Sequence, residues 1–225
     1  MANATEERLW YWAKKLSNHF SANGYRELRE VNASLQDPSQ QTNRQRALVF
    51  SMYQLVINGA VGEHNVQEYQ SEFPGFVRSE LCDGWLEKAT TEAWKGSSYT
   101  PQRSNILGSI AFMVVLLFFF ESCCRMALND DDSSLQGMLT ALKDSSRIDQ
   151  ETYEALTYLA AFRNVWHNFG FHKGSKPTRS YRPTSEPLGF PNLIPGRVIK
   201  PLAEAEALHL MDKVLTTFCD LAGIL

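Results

Sequence analysis

The sequence predicts an all-α protein: an up-and-down helical bundle with extra N-terminal helices and a long Pro/Lys/Arg-rich loop before the last helix. Three observations carry this prediction. Apolar residues recur at helical spacing along most of the chain. The run from Ile106 to Phe120 is apolar on every side, which suits the central helix of a bundle. Six of the nine prolines fall between Pro177 and Pro201, so they stiffen one loop rather than interrupt helices. No internal repeat and no convincing strand pair accompanies them, with room only for one short hairpin within 169–200.

Thr5 is placed to cap a first helix whose stripe is Leu9, Trp12, Ala13, Leu16 and Phe20, ended by Asn23-Gly24. Asp37 to Thr42 is a polar loop. A second helix runs through Ala47, Phe50 and Leu55 and is expected to break at Asn58-Gly59 and Gly62. One or two further helices fit between Glu63 and Gly96, interrupted by Phe73-Pro74-Gly75. Thr100-Pro101 leads into the long apolar helix, from about Arg103 to Leu128. Asn129 to Ser134 is a solvated acidic turn that lacks the glycine and distal glutamate of a calcium loop. The next clear helix begins near Asp149 and runs through Leu156, Leu159, Phe162 and Trp166. Pro201 suits a first helical position, and Leu208, Met211, Leu215, Phe218 and Ala222 line one face of the last helix. The chain reads as one helical domain over 1–225, with 103–222 as the bundle core and the helices of 1–100 packed on it.

Bulk properties bound the function only loosely. The chain has 225 residues, 44% hydrophobic and 21% charged, with net charge −3, as in ordinary globular domains able to bury a core. Local patches therefore matter more than the sum. Four cysteines, with Cys123 and Cys124 adjacent and Cys82 and Cys219 isolated, form neither a disulfide framework nor a metal-ligand spacing. With no basic-then-apolar opening of a signal peptide, a reducing cytoplasm is the expected location. No metal and no cofactor is expected. The apolar run of 15 residues from Ile106 falls short of the ~20 needed to span a membrane, and Glu121 and Arg125 follow at once. The five tryptophans are expected in the core, and His19, His64 and His209 as structural or exposed residues without a constellation.

The candidate site is Arg163-Asn164-Val165-Trp166-His167-Asn168. At about 100° per residue, the apolar stripe of this helix centres on Leu159, Phe162 and Trp166. Arg163 and His167 then share its half-buried flank, with Asn164 and Asn168 further round toward solvent. The helix dipole favours a protonated His167 and Arg163 disfavours it, so the imidazole is expected to titrate near neutral pH. Arg163 offers a planar fork for two phosphate oxygens. Together they suit metal-independent phosphoryl chemistry on RNA, although the same pair also suits capping of a helix end beside a buried carboxylate. From Arg163 to Lys200 there are seven Lys/Arg against one acid, Glu186, interleaved with Phe171, His172, Tyr181 and Phe190. That pattern provides cations for a backbone and rings for bases. Asn168, His172, Lys173, Lys176, Arg179 and Arg182 are the nucleic-acid-binding candidates, and a solubilising loop over the bundle is the alternative. Glu121, ending the apolar run, needs a partner: Arg125 at i+4, or Arg163 on the neighbouring helix.

A late bundle helix carrying Arg-Asn-x-x-His-Asn, then a long loop and one more helix, resembles the HEPN superfamily. The resemblance covers mainly residues 103–222. It implies a helical bundle acting as a homodimer, with the Arg/His motifs of two subunits facing each other. It also implies metal-independent endoribonuclease activity of toxin or defence type, with an antitoxin-like protein as a partner, or else non-catalytic binding of nucleotides or proteins. Residue by residue, Arg163 and His167 take the phosphate-binding and acid–base positions and Asn164 the polar second position. Glu121 takes the acidic position that orients the arginine. Three residues separate Arg163 from His167, where the family pattern usually has four to six.

Overall fold

The computed structural model describes residues 4–21, 41–72, 110–166, 172, 178–184, 186–197, 199 and 202–224. Among these, six helices carry the fold: α1 (Ala4–Ser21), α2 (Gln41–Glu72), α3 (Ile110–Leu128), α4 (Leu135–Asp144), α5 (Gln150–Trp166) and α6 (Glu204–Leu221). The protein is an all-helical bundle, with a single antiparallel bridge between Arg179 and Leu193 as the only β pairing among the described residues.

α3 is the hub, in contact with α2, α4, α5 and α6. Its sequence explains the position, because only a helix apolar on nearly every side gains by being surrounded. Leu116, Leu117, Phe120 and Cys124 are fully buried. Yet Phe118, in the middle of the same run, is 61% exposed. No described helix is long and apolar enough to cross a membrane.

α1 and α2 pack on each other, α1 against α6 and α2 against α3. Polar contacts fix α1: Arg8 Nε and Trp12 Nε1 donate to the two oxygens of Asp212 on α6 at 2.7 and 2.6 Å. Thr5 does not cap α1. It lies inside the helix, fully buried, and donates its hydroxyl to Glu204. α2 also departs from expectation, since it continues through Asn58-Gly59 and Gly62 to Glu72. A helical glycine costs only about 1 kcal/mol, and burial of Met52, Val56 and Ala60 along the same helix outweighs it.

α4 has no counterpart in the sequence prediction, although its pattern is regular. Ser134 caps it by accepting from Gly137 N, and Leu135, Met138, Leu139 and Leu142 form its buried face. Asp149 caps α5, accepting from Thr152 N at 2.7 Å; this bond and the Thr152 hydroxyl hold the Asp149 carboxyl below its usual range.

Three helices end in the same hydrogen-bond motif. After α3, Asn129 N and Asp130 N donate to the carbonyls of Met126 and Arg125; after α4, Ser146 N and Arg147 N donate to Lys143 and Leu142. After α6, Gly223 N and Ile224 N donate to Asp220 and Cys219. Each of these Schellman ends needs one left-handed residue, supplied by Asn129 (φ 51°), Ser146 (φ 57°) and Gly223 (φ 68°).

Candidate functional site

The core stripe of α5, with Leu156, Leu159, Phe162 and Val165 buried, leaves Arg163 on its flank. Arg163 is half-buried, at 21% exposure, and Asn164 is exposed. From α3, Glu121 presents its carboxylate to this flank. Arg163 Nη1 donates to Glu121 Oε2 at 3.1 Å, while Arg125 Nη2 donates to Oε1 at 2.9 Å. Glu121 thus takes both partners that the sequence offered, one within its helix and one across to α5. Arg125 Nη1 also donates to the Asp131 carbonyl, tying the pair to the acidic turn after α3.

Arg163 Nε is buried and has no hydrogen-bond partner. A buried N–H left unmet is uncommon, because its lost hydration is not replaced. The guanidinium is therefore held by one arm at a carboxylate, with donor capacity left over.

His167, Asn168, Lys173 and Lys176 lie outside the described residues. Of the remaining loop candidates, Arg179 and Arg182 are exposed. His172 is buried, with its backbone paired to Arg197 O and Gly196 N. Arg179 and Leu193 exchange both backbone bonds, at 3.0 and 2.8 Å, so the segment doubles back on itself. Among the described residues, its rings (His172, Tyr181 and Phe190) do not face solvent as interleaving with cations suggested. Tyr181 and Phe190 are buried against Tyr158 of α5, and Tyr158 Oη donates to the Pro191 carbonyl at 2.8 Å. Burying this aromatic area is what holds the loop on the bundle.

His209 has a constellation, contrary to expectation. Its Nε2 lies 2.8 Å from Tyr181 Oη and its Nδ1 lies 3.7 Å from Glu186 Oε2. Burial holds the imidazole below its ordinary pKa, partly opposed by the Glu186 charge. Burial likewise pushes the Tyr181 phenol up. Both groups are then neutral at neutral pH, so the contact is a hydrogen-bonded tether between the loop and α6. The three residues are too far apart in sequence for any spacing rule to join them.

Cys123, Cys124 and Cys219 are free and buried, and burial raises each thiol well above its usual value, to about 12 for Cys123 and Cys219. Such thiols are poor nucleophiles. Among the described residues no three His, Cys, Asp or Glu side chains cluster as metal ligands. Compared with family models, curated proteins and solved structures, the chain finds no match.

Proposed function

We propose that the chain is a HEPN-like, metal-independent endoribonuclease of toxin or defence type that acts as a homodimer. The observation that carries this reading is the 3.1 Å pair between Glu121 on α3 and Arg163 on α5. A carboxylate holding one arm of a half-buried guanidinium fixes a cation at the helix end, one turn before His167 in sequence. The Arg163 Nη donors that Glu121 does not take leave capacity for a phosphate oxygen.

In the proposed reaction His167 takes the proton of an RNA 2′-hydroxyl. The 2′-oxygen attacks phosphorus, Arg163 stabilises the phosphorane charge, and the P–O5′ bond breaks as His167 passes the proton it took to the leaving 5′-oxygen. The products are a 2′,3′-cyclic phosphate and a 5′-hydroxyl end. Asn164, exposed beside Arg163, and the exposed Arg179 and Arg182 would meet the RNA backbone.

The test incubates the full-length protein with total RNA in the presence of a chelator, beside Arg163→Ala and His167→Ala. Cleavage by the parent alone, leaving cyclic phosphate ends, supports the reading. Equal inactivity of all three, or equal cleavage only with added metal, sinks it.

A second reading is a non-catalytic module that holds a nucleotide phosphate or a protein partner at the same arginine. It is favoured by the shared carboxylate, because Glu121 pairs with both Arg125 and Arg163 and leaves a net positive charge at the site for an anion. Micromolar nucleotide affinity lost in Arg163→Ala, with no RNA cleavage, selects it.

A further inference from the structure

On the opposite side of α3 from Glu121 a cavity of about 230 Å³ opens between α2, α3, α6 and the turn after α4. Its base is apolar and sealed: Val49, Cys123 and Phe218 are buried, at 1%, 4% and 0% exposure. Its rim is polar and open, formed by the exposed Gln45 and Arg147. Gln45 is occupied in holding the rim together, since its Nε2 donates to the Ala222 carbonyl at the end of α6.

Arg147 is the distinctive group. The Schellman end of α4 fixes its backbone, with Arg147 N on Leu142 O, and Nη1 reaches the Ala127 carbonyl near the end of α3 at 3.3 Å. That leaves four of its five N–H donors uncommitted. None of the ion pairs among the described residues includes Arg147. The other lining side chains carry no charge, so one positive charge stands at the mouth of a pocket with an apolar base and a polar rim.

We propose that this cavity binds a small apolar carboxylate, with the apolar part between Val49, Met126 and Phe218 and the carboxylate on Arg147. Size sets the class. An apolar cavity of about 150 Å³ accepts one benzene, so 230 Å³ suits a single ring with a short substituent or a chain of about six to eight carbons. Charge sets the head group, because one guanidinium matches a monoanion bidentately. The Cys123 thiol, held protonated by burial, serves as apolar wall and not as a reacting group. The site is distinct from the Arg163 flank, since Glu121 and Cys123 leave α3 about 200° apart.

The test uses the full-length protein and titrates sodium octanoate and sodium benzoate by calorimetry, with 1-octanol and benzyl alcohol as uncharged controls. At least one acid is expected to bind with Kd below about 1 mM and at least tenfold more tightly than its alcohol, a difference in the range of a charge-assisted hydrogen bond. Arg147→Gln, at an exposed position, weakens the acid about tenfold or more and leaves the alcohol unchanged. Met126→Trp, which fills the pocket, abolishes both, and if that variant does not fold the Arg147→Gln comparison decides alone. Arg163→Ala binds the acid as the parent does. The proposal is overturned if neither acid binds with Kd below about 1 mM, if acid and alcohol bind alike, if Arg147→Gln has no effect, or if Arg163→Ala removes binding.

Discussion

Glu121 and Arg163 meet 3.1 Å apart across the α3–α5 interface, and the same carboxylate holds Arg125 at 2.9 Å. One carboxylate between two guanidiniums is an asymmetric arrangement. Removing either arginine leaves Glu121 paired, whereas removing Glu121 leaves two partly buried cations facing each other.

Glu121→Gln is therefore expected to destabilise the fold by about 1–2 kcal/mol, between the values for exposed and fully buried ion pairs, because all three side chains keep partial solvent access. Arg125→Ala is expected to lose less than about 1 kcal/mol. Urea denaturation of the two single variants and the double variant measures this, and the idea fails if Arg125→Ala is the more damaging change.

The Tyr181–His209 contact predicts a pH dependence. His209 has a folded pKa below its ordinary value, so the unfolded chain binds the extra proton first as pH falls. The stability that neutral His209 contributes is thus complete above about pH 6.5 and is lost as pH drops below it. The groups facing the ring are Glu186, Glu151, Lys213 and Asp212. Parent protein is expected to lose Tm between pH 7.5 and 5.5 more steeply than His209→Gln, as read by thermal melts across that range. Parallel slopes would remove His209 from the explanation.

Tyr181→Phe isolates the tether itself. It keeps the ring packed against Tyr158 and Phe190 and leaves His209 Nε2 without its 2.8 Å partner. A loss of about 1–2 kcal/mol in chemical denaturation is expected, the usual effect of stranding a buried polar atom.

Ser146→Gly should stabilise the protein. Ser146 adopts φ 57° at the end of α4 and its side chain is exposed, so glycine removes left-handed strain without losing a core contact. The expected gain is about 0.5–1 kcal/mol, visible as a higher denaturation midpoint with an unchanged slope.

Leu117 and Phe118 give a contrast within one apolar run. Leu117→Ala is expected to lose about 2–5 kcal/mol, as for a fully buried leucine, and Phe118→Gln no more than about 0.5 kcal/mol. Comparable losses from the two would mean that Phe118 is covered in solution.

How far the sequence carried the structure depends on the kind of interaction. Helical periodicity located α1, α3, α5 and α6, because amphipathic burial is written along one segment at a time. α4 was equally legible in Ser134 followed by Leu135, Met138, Leu139 and Leu142, a capped apolar stripe that lies directly after the acidic turn of 129–134 and was assigned no element. Gly59 and Gly62 marked a break in α2 that packing overrode. At the site, the flank position of Arg163 followed from counting round the helix, and Glu121 was marked by the cost of ending an apolar run with a carboxylate.

By itself, then, the sequence determined an all-helical bundle centred on α3, and it singled out Arg163 and Glu121 as polar groups needing an explanation. Only the tertiary structure decided that Glu121 holds both arginines, that His209 pairs with Tyr181 from a loop 28 residues away, and that Phe118 is exposed where Leu117 is sealed. The physical reason is the same in each case. Periodicity reports which side of a helix avoids water, but hydrogen-bond partners and the exposed face of an all-apolar helix are set by which neighbours arrive on each side.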